Sequence, residues 1–238
     1  MNKIVEALLN DTVDLTTHQW KVLVEEEIDN STSDGELMRI LSRMPIIMRH
    51  GRAVLSLKSR DQLTISKLLL ACNELHDRLG PVFKSMRSRL DTSDLSLLSE
   101  YIGPSSQMAF VHASFSRSYA LASMAGCMLN RITCSLGNSV DSLEEESLLF
   151  AQEIIVLAHL ARKNRPLGSQ YMLACLPGAY VATDDPTIKD ESAKLMEEYR
   201  VDAFGVTSQS PQEELNWLKQ RFILRESRAY KEVFTSYV

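Results

Sequence analysis

The chain has 238 residues, of which 45% are hydrophobic and 24% are charged, with only nine glycines and seven prolines. These fractions are typical of a globular protein and exclude collagen-like, low-complexity and disordered classes. The formal net charge of −5 argues against a free-standing nucleic-acid binder, which usually carries a basic field. No run approaches the roughly 18 uninterrupted apolar residues of a spanning helix, so we expect a cytoplasmic protein without membrane association.

Helical periodicity dominates the first half of the chain. Between Glu36 and Leu90 the apolar residues recur largely at intervals of three and four, which is the spacing of one helix face. Pro45 is expected to divide the first helix of this stretch, and Gly80-Pro81 to interrupt the second. A third helix is expected from about Ser106 to Leu136, with Gly137 as a left-handed cap.

The second half carries clearer signals for helix ends. Ser142 followed by Glu145 forms a capping box, and that helix is expected to end near Lys163. Asp185-Pro186 predicts an N-cap with proline at the first helical position. Pro177-Gly178 is expected to kink the helix that lies between them.

These patterns predict an all-α fold of nine or ten helices. No convincing period-two alternation is present, and no fixed repeat of about 20 to 50 residues indicates a solenoid. The short polar stretch around residues 29–35 separates a helical N-terminal arm, residues 1–35, from one helical domain over residues 36–238.

The central block has an ordered set of short motifs. Four of them are Tyr119-Ala120, Asn130-Arg131, Glu153–Ala158 (EIIVLA) and Arg165–Gly168 (RPLG). In this order they resemble the regulatory, middle-to-C-terminal domain of fungal Zn2Cys6 transcription factors. The segment Leu41–Ile47 (LSRMPII) is similar to the early helix of that domain, so the resemblance covers roughly residues 36–204. It implies an all-helical, ligand-handling domain.

The chain departs from that family in its cysteines. The family binds DNA through six clustered cysteines that hold two zinc ions. Here the first cysteine is Cys72, inside a predicted helix, no C-x-x-C pair exists, and residues 1–35 contain Lys3 and Lys21 but no arginine. We therefore expect no zinc site and no direct nucleic-acid binding through that module.

His112 and Tyr119 are the first candidates for proton transfer. They are seven residues apart on a predicted helix and share a face, so they are able to present an acid and a base to one pocket. The alternative is that His112 is a core or rim histidine with satisfied hydrogen bonds. Tyr119 is equally compatible with a core position, its hydroxyl bonded to a backbone carbonyl.

Glu153 and His159 are the second candidates, both on the helix that begins near Ser142. Glu153 lies beside Ile154 and Ile155, and apolar surroundings favour the neutral carboxyl that a general acid needs. Six residues separate the two side chains, so they point roughly 120° apart around the helix axis. The alternative for Glu153 is a solvated position at the edge of the buried stripe.

Arg165, Gln170 and Tyr180 are candidates for substrate binding. Arg165 precedes a proline in the RPLG turn, where it is able to bind a carboxylate or phenolate, or else to cap the preceding helix. Gln170 and Tyr180 are polar groups among apolar neighbours near Pro177-Gly178. Pro177-Gly178 is expected to open a turn of this helix, and such a turn either lines a ligand site or accommodates the packing of a neighbouring helix.

Three functions remain open at this stage. We expect a cofactor-free cyclase or isomerase that closes a ring in an apolar or aromatic metabolite such as a polyketide. No G-x-G-x-x-G, P-loop or G-x-S-x-G motif indicates a nucleotide or hydrolase site. The alternatives are a nuclear regulator that acts without binding DNA, by dimerisation or by titrating a full-length factor, and a passive ligand-binding protein. A homodimer is compatible with these readings.

Overall fold

The computed structural model describes residues 29, 31–56, 61–92, 106–137, 141–165, 169–204, 213, 215 and 216. Within these residues the chain forms six α-helices and no strand, which confirms the all-α class. The helices are α1 (Ser33–Ser56), α2 (Gln62–Thr92), α3 (Ser106–Ser135), α4 (Asp141–Ala161), α5 (Met172–Ala182) and α6 (Pro186–Phe204). The expected nine or ten helices are therefore too many for the described part of the chain.

Prolines inside helices account for part of the difference. Pro45 lies within α1, Pro81 within α2 and Pro177 within α5, and the first two helices continue where the sequence predicted an interruption. An interior proline removes one backbone hydrogen bond and costs about 3 kcal/mol. The adjacent Met44 and Val82 are buried, so the tertiary packing of each helix outweighs its local proline penalty.

Two of the predicted helix ends are confirmed. Asp185 Oδ1 accepts hydrogen bonds from the backbone N–H of Thr187 at 2.8 Å and of Ile188 at 3.1 Å, and Pro186 is the first residue of α6. Gly137 follows the last turn of α3 with a φ of 104°, the left-handed conformation that glycine adopts without strain.

The limits of α4 lie close to the predicted ones. The helix begins at Asp141, one residue before the expected N-cap Ser142. It ends at Ala161 and continues as a single 3-10 turn over Arg162–Asn164, so the helical stretch finishes within one residue of the predicted end at Lys163. Arg165 then leaves in an extended conformation.

The core is organised around α3, which packs against α1, α2, α4 and α5. Nine of the eleven residues of α5 are buried, so this helix lies inside the molecule. Two glycines allow the close contacts with α3. A Cβ added to Gly126 of α3 would collide with the ring of Phe150 in α4, and one added to Gly178 of α5 would lie 2.8 Å from Met124 Cγ.

Little of the predicted N-terminal arm lies within the described residues. Residues 1–28 of that arm are outside them, and α1 begins at Ser33, so it crosses the boundary expected between residues 35 and 36. Among the described helices, none combines the length and the apolar character needed to cross a bilayer.

Candidate functional site

Two of the predicted proton-transfer residues meet at Arg87 of α2. Arg87 Nη1 donates hydrogen bonds to Tyr119 Oη at 3.1 Å and to Glu153 Oε1 at 2.5 Å. Arg87 Nε donates to Asp91 Oδ1 at 3.1 Å, one turn further along α2. Three helices, α2, α3 and α4, thus each contribute polar side chains to one cluster, which we call the Arg87 cluster: Arg87, Asp91, Tyr119 and Glu153.

Aromatic packing holds the Arg87 cluster in place. Phe83 lies one turn before Arg87 on the same face of α2, and its ring centroid is 4.9 Å from that of Tyr119 and 4.9 Å from that of Phe150. The guanidinium of Arg87 also lies 5.4 Å from the centroid of the Tyr119 ring. Contacts of this kind fix the side-chain positions of all three helices relative to one another.

The Arg87 cluster borders an open surface depression with a volume of about 430 Å³. Its walls come from the last turns of α2, and the residues that line it are Phe83, Lys84, Arg87, Ser88, Asp91 and Thr92. The side chain of Arg87 is 44% exposed, whereas Tyr119 is 1% exposed. Arg87 therefore faces the depression and Tyr119 lies behind it.

Burial and charge set the protonation of the Arg87 cluster. Burial raises the pKa of Tyr119, against the opposing effect of its hydrogen bond from Arg87. The hydrogen bond to Tyr119 and the nearby negative charges raise the pKa of Arg87. Glu153 is 34% exposed and forms an ion pair, so it does not have the apolar surroundings expected for a neutral general acid. Its Oε1 instead accepts a hydrogen bond from Arg87.

His112 is not among the contacts of the Arg87 cluster. It is half-buried, Ser116 Oγ donates to its backbone oxygen at 2.9 Å, and Ser116 Oγ also lies 3.5 Å from its Nδ1. Seven residues of helix separate His112 from Tyr119 by about 10 Å along the axis. Tyr119 contacts Phe83 and Arg87 of α2. Lying on the same face of α3 therefore does not bring the side chains of His112 and Tyr119 together.

His159 lies on a different side of α4 from Glu153. His159 Nε2 is 3.1 Å from Glu191 Oε1 of α6, whereas Glu153 contacts Arg87 of α2. The angular separation expected from their spacing thus directs the two side chains to different neighbouring helices.

Arg165 binds carboxylates of its own chain. Its guanidinium pairs with Asp202, Nη2 to Oδ1 at 2.8 Å, and with Glu198 Oε2 at 3.4 Å. Nη2 also donates to the backbone oxygen of Glu198 at 3.3 Å, so Arg165 contacts a carbonyl of α6. The guanidinium lies 5.7 Å from the ring centroid of Tyr199. These partners join the turn after α4 to α6.

Gln170 and Tyr180 lie apart from the Arg87 cluster as well. Gln170 is exposed just before α5. Tyr180 is 1% exposed, donates to Asn216 Oδ1 at 2.6 Å, and has Lys189 Nζ 5.9 Å from its ring centroid. Burial raises the pKa of Tyr180. The structure therefore distributes the seven predicted site residues over several places and joins only Tyr119 and Glu153.

Sequence reasoning missed a second polar cluster that links the same three helices. His76 Nε2 lies 2.7 Å from Asn130 Oδ1 and 3.1 Å from Glu146 Oε2, and Asn130 Nδ2 donates to Glu146 Oε2 at 2.9 Å. Asn130 is fully buried. Its position directly after a long apolar stretch was the available signal, because a buried amide needs partners. Arg87 was also missed, since its segment reads as a solvated basic patch.

No protein-family model matches the chain, and neither a curated protein nor a solved structure matches it. The resemblance to the regulatory domain of fungal Zn2Cys6 transcription factors therefore stays a prediction based on the sequence motifs. In the described part of the chain, no group of three or more His, Cys, Asp or Glu side chains is placed to hold a metal ion.

Proposed function

We propose that the chain is a cofactor-free cyclase or isomerase that acts on an apolar or aromatic metabolite, such as a polyketide, in the depression beside Arg87. One observation supports this most: Tyr119 and Glu153 both bond to an arginine that lines an open depression. Ring closure requires a proton acceptor and a group that binds the oxygen where negative charge develops. Arg87 lines the depression; Glu153 is not among the residues that line it, but it is 34% exposed and within hydrogen-bonding distance of Arg87, so we assign the two roles to this pair.

The proposed reaction adds a substrate hydroxyl to the β-carbon of an α,β-unsaturated ketone. Glu153 takes the hydroxyl proton while the C–O bond forms and the electron pair of the double bond moves to the ketone oxygen. Arg87 donates a hydrogen bond to that oxygen, and Glu153 then returns the proton to the α-carbon. The product is an isomer of the substrate. Tyr119 is a positioning residue, because its hydroxyl lies behind Arg87 and holds the guanidinium.

The test uses 2′-hydroxychalcone, an aromatic probe that closes to flavanone by this reaction, monitored against the uncatalysed rate. Glu153→Gln is expected to slow the catalysed closure by about 10²–10⁴-fold, because it removes the proton acceptor. Tyr119→Phe is expected to have a smaller effect, which arises from a less ordered Arg87. A wild-type chain that does not accelerate closure of this probe or of related hydroxyaryl enones contradicts the proposal.

Tyr199→Phe is the matched control for Tyr119→Phe. Tyr199 is 2% exposed and its hydroxyl donates to the backbone oxygen of Ala158 at 2.5 Å, away from the Arg87 cluster. Both variants remove one buried tyrosine hydroxyl, so a general loss of stability would affect them alike. Equal rates for the two variants would exclude the assigned role of Tyr119.

A regulator that acts by dimerisation is the second candidate function. The observation that favours it is a row of exposed apolar side chains on α4, formed by Leu149, Val156 and Leu160. A regulator of this kind would associate with protein without turning over the probe.

Two other outcomes would point to different functions. A mobility shift of duplex DNA that weakens steeply with salt would indicate direct nucleic-acid binding. A passive binder would take up the probe without closing its ring.

A further inference from the structure

The outward side of α4 carries a row of apolar side chains. Leu149 is 61% exposed, Val156 is 55% exposed and Leu160 is 49% exposed. Their spacings of seven and four residues place them on one side of the helix. Ile154 and Leu157, which point to other sides of the helix, are buried, and α4 packs against α3 and α5. We call Leu149, Val156 and Leu160 the α4 row.

Charge is distributed unevenly along the same helix. Glu144 and Glu145 lie in its first turns, whereas Arg162 and Lys163 lie in the 3-10 turn that follows it. Glu145 is exposed and lies one turn before Leu149, and Lys163 is exposed and lies three residues after Leu160 in the 3-10 turn, so the two side chains flank the α4 row at its two ends. Arg162 Nη2 pairs with Glu198 of the same chain at 2.7 Å. We therefore assign Lys163, rather than Arg162, to contact a carboxylate of another molecule.

We propose that two copies of this chain associate through α4, with the two helices antiparallel about a two-fold axis. In that arrangement the α4 rows of the two copies pack on each other, and Glu145 of each copy faces Lys163 of the other copy. Antiparallel packing also brings together opposite ends of the two helix dipoles. A parallel pair would instead place Glu145 beside Glu145 and Lys163 beside Lys163. Two-fold dimers are the commonest symmetric assembly.

The size of the α4 row indicates a weak dimer. Specific stable interfaces bury about 1,200–2,000 Å² in total, and weak, transient ones bury less; an interface made of one helix pair with three apolar residues from each copy is of the smaller kind. We therefore expect a dissociation constant in the micromolar range, which requires measurement from about 1 μM to about 200 μM. None of the three side chains belongs to the Arg87 cluster, but Glu153 of that cluster lies one turn after Leu149 and one turn before Val156, so the interface borders the proposed site.

The first test is sedimentation velocity of the full chain and of Leu149→Glu. The variant is expected to raise the dissociation constant at least tenfold, because it places a carboxylate within the apolar contact. Leu70→Glu is the matched control: Leu70 is 70% exposed on α2, and the same substitution there is expected to leave dimerisation unchanged. Circular dichroism of each variant checks that the helices remain. A wild-type chain that stays monomeric over the whole range would overturn the proposal.

The second test identifies the orientation of the two helices. Glu145→Lys and Lys163→Glu are each expected to weaken the dimer about tenfold, since each converts two attractive pairs into repulsive ones. The double variant restores both pairs in reversed order, so its dissociation constant is expected within about threefold of the wild type. A double variant as weak as the sum of its single changes would overturn the antiparallel arrangement.

The two proposals fail separately. Lys163→Glu, ten residues after Glu153, is expected to close the ring of 2′-hydroxychalcone at the wild-type rate when both proteins are assayed as monomers, whereas Glu153→Gln is expected to lose turnover. Loss of the dimer with normal turnover supports the interface, and loss of turnover with a normal dimer supports the Arg87 site. Equal weakening of the dimer by Leu149→Glu and Leu70→Glu would contradict the assigned surface.

Discussion

At the scale of single residues, the amide of Asn130 joins three helices. Its Oδ1 contacts His76 of α2, and its Nδ2 donates to Glu146 of α4 at 2.9 Å and to the backbone oxygen of Leu143 at 3.3 Å. A fully buried amide without partners would cost several kcal/mol, and these bonds offset that cost. Because Asn130 belongs to α3, the amide fixes the position of α2 and α4 on the central helix.

The same contacts couple this cluster to pH. The hydrogen bond to Glu146 raises the pKa of His76 above its usual value of 6.5, although burial opposes the change. The hydrogen bond from His76 lowers the pKa of Glu146 below 4.5. The histidine contribution to stability is complete below pH 6.5 and disappears as pH rises through the folded pKa of His76. The carboxylate contribution is complete above pH 4.5 and disappears as pH falls through the folded pKa of Glu146.

Glu146→Gln is therefore expected to destabilise the fold more at pH 5.5–6.5 than at pH 9. Glu146 is 37% exposed and His76 30% exposed, so solvent screening limits the ionic effect to about 1 kcal/mol or less. Urea unfolding at the two pH values measures it, and a proton NMR titration of His76 should show a lower pKa in the variant. An unchanged titration of His76 would disprove the pairing.

At the scale of elements, the approach of α4 and α5 to α3 depends on two glycines. Gly126→Ala is expected to destabilise the fold by about 1–3 kcal/mol, because its Cβ would occupy the space of the Phe150 ring. Alanine is otherwise the better helix former, so the sign of this effect comes from packing. Denaturant unfolding measures the change in the free energy of unfolding.

Gly80→Ala is the matched control for the packing effect. It is an exposed position in α2, and an added Cβ there meets no atom of a neighbouring helix within 4 Å. The helix propensity of alanine favours the change, whereas a Cβ on the residue before Pro81 disfavours the helical conformation, so we expect a net change of about 1 kcal/mol or less. Gly126→Ala should thus be the more destabilising of the two, and a stabilising Gly126→Ala would show that α4 lies further from α3.

The helix ends differ in how far local sequence determines them. Asp185 and Gly137 act within three residues of their own positions, through a side-chain cap and a left-handed φ, so the sequence predicts both. Pro45 and Pro81 also give a strong local signal, yet the helices continue through them. Their outcome depends on burial against other helices, which a local pattern does not contain.

The candidate site was predictable only in part, for a related reason. Tyr119 and Glu153 were identified one helix at a time, from their neighbours in sequence. Arg87 joins them across 32 and 66 residues of chain, and nothing in its own segment indicates that contact. The pairing of His112 with Tyr119 assumed that a shared helix face implies a shared pocket. The neighbouring helix α2 decides instead which part of that face is used.

At the scale of the whole molecule, three of the candidate positions are occupied by contacts within the chain. His159 pairs with Glu191, Arg165 with Asp202, and Tyr180 donates to Asn216. These contacts join α4, the turn after it and α5 to the last part of the described chain, so they hold these elements together. The Arg87 cluster differs because two of its members, Arg87 and Asp91, line an open depression. We therefore propose this place, rather than the other three, for ligand binding.

The most direct test of that assignment is an NMR titration of the chain labelled with ¹³C at the tyrosine ζ carbon. The chain has seven tyrosines, and the variants Tyr119→Phe and Tyr199→Phe assign the two relevant signals. On addition of 2′-hydroxychalcone, the Tyr119 signal should shift and saturate, because Arg87, which bonds to the phenol oxygen, also donates to the ketone oxygen of the probe, while the Tyr199 signal should stay in place. A saturable shift of Tyr171 or Tyr180 with Tyr119 unchanged would contradict the account.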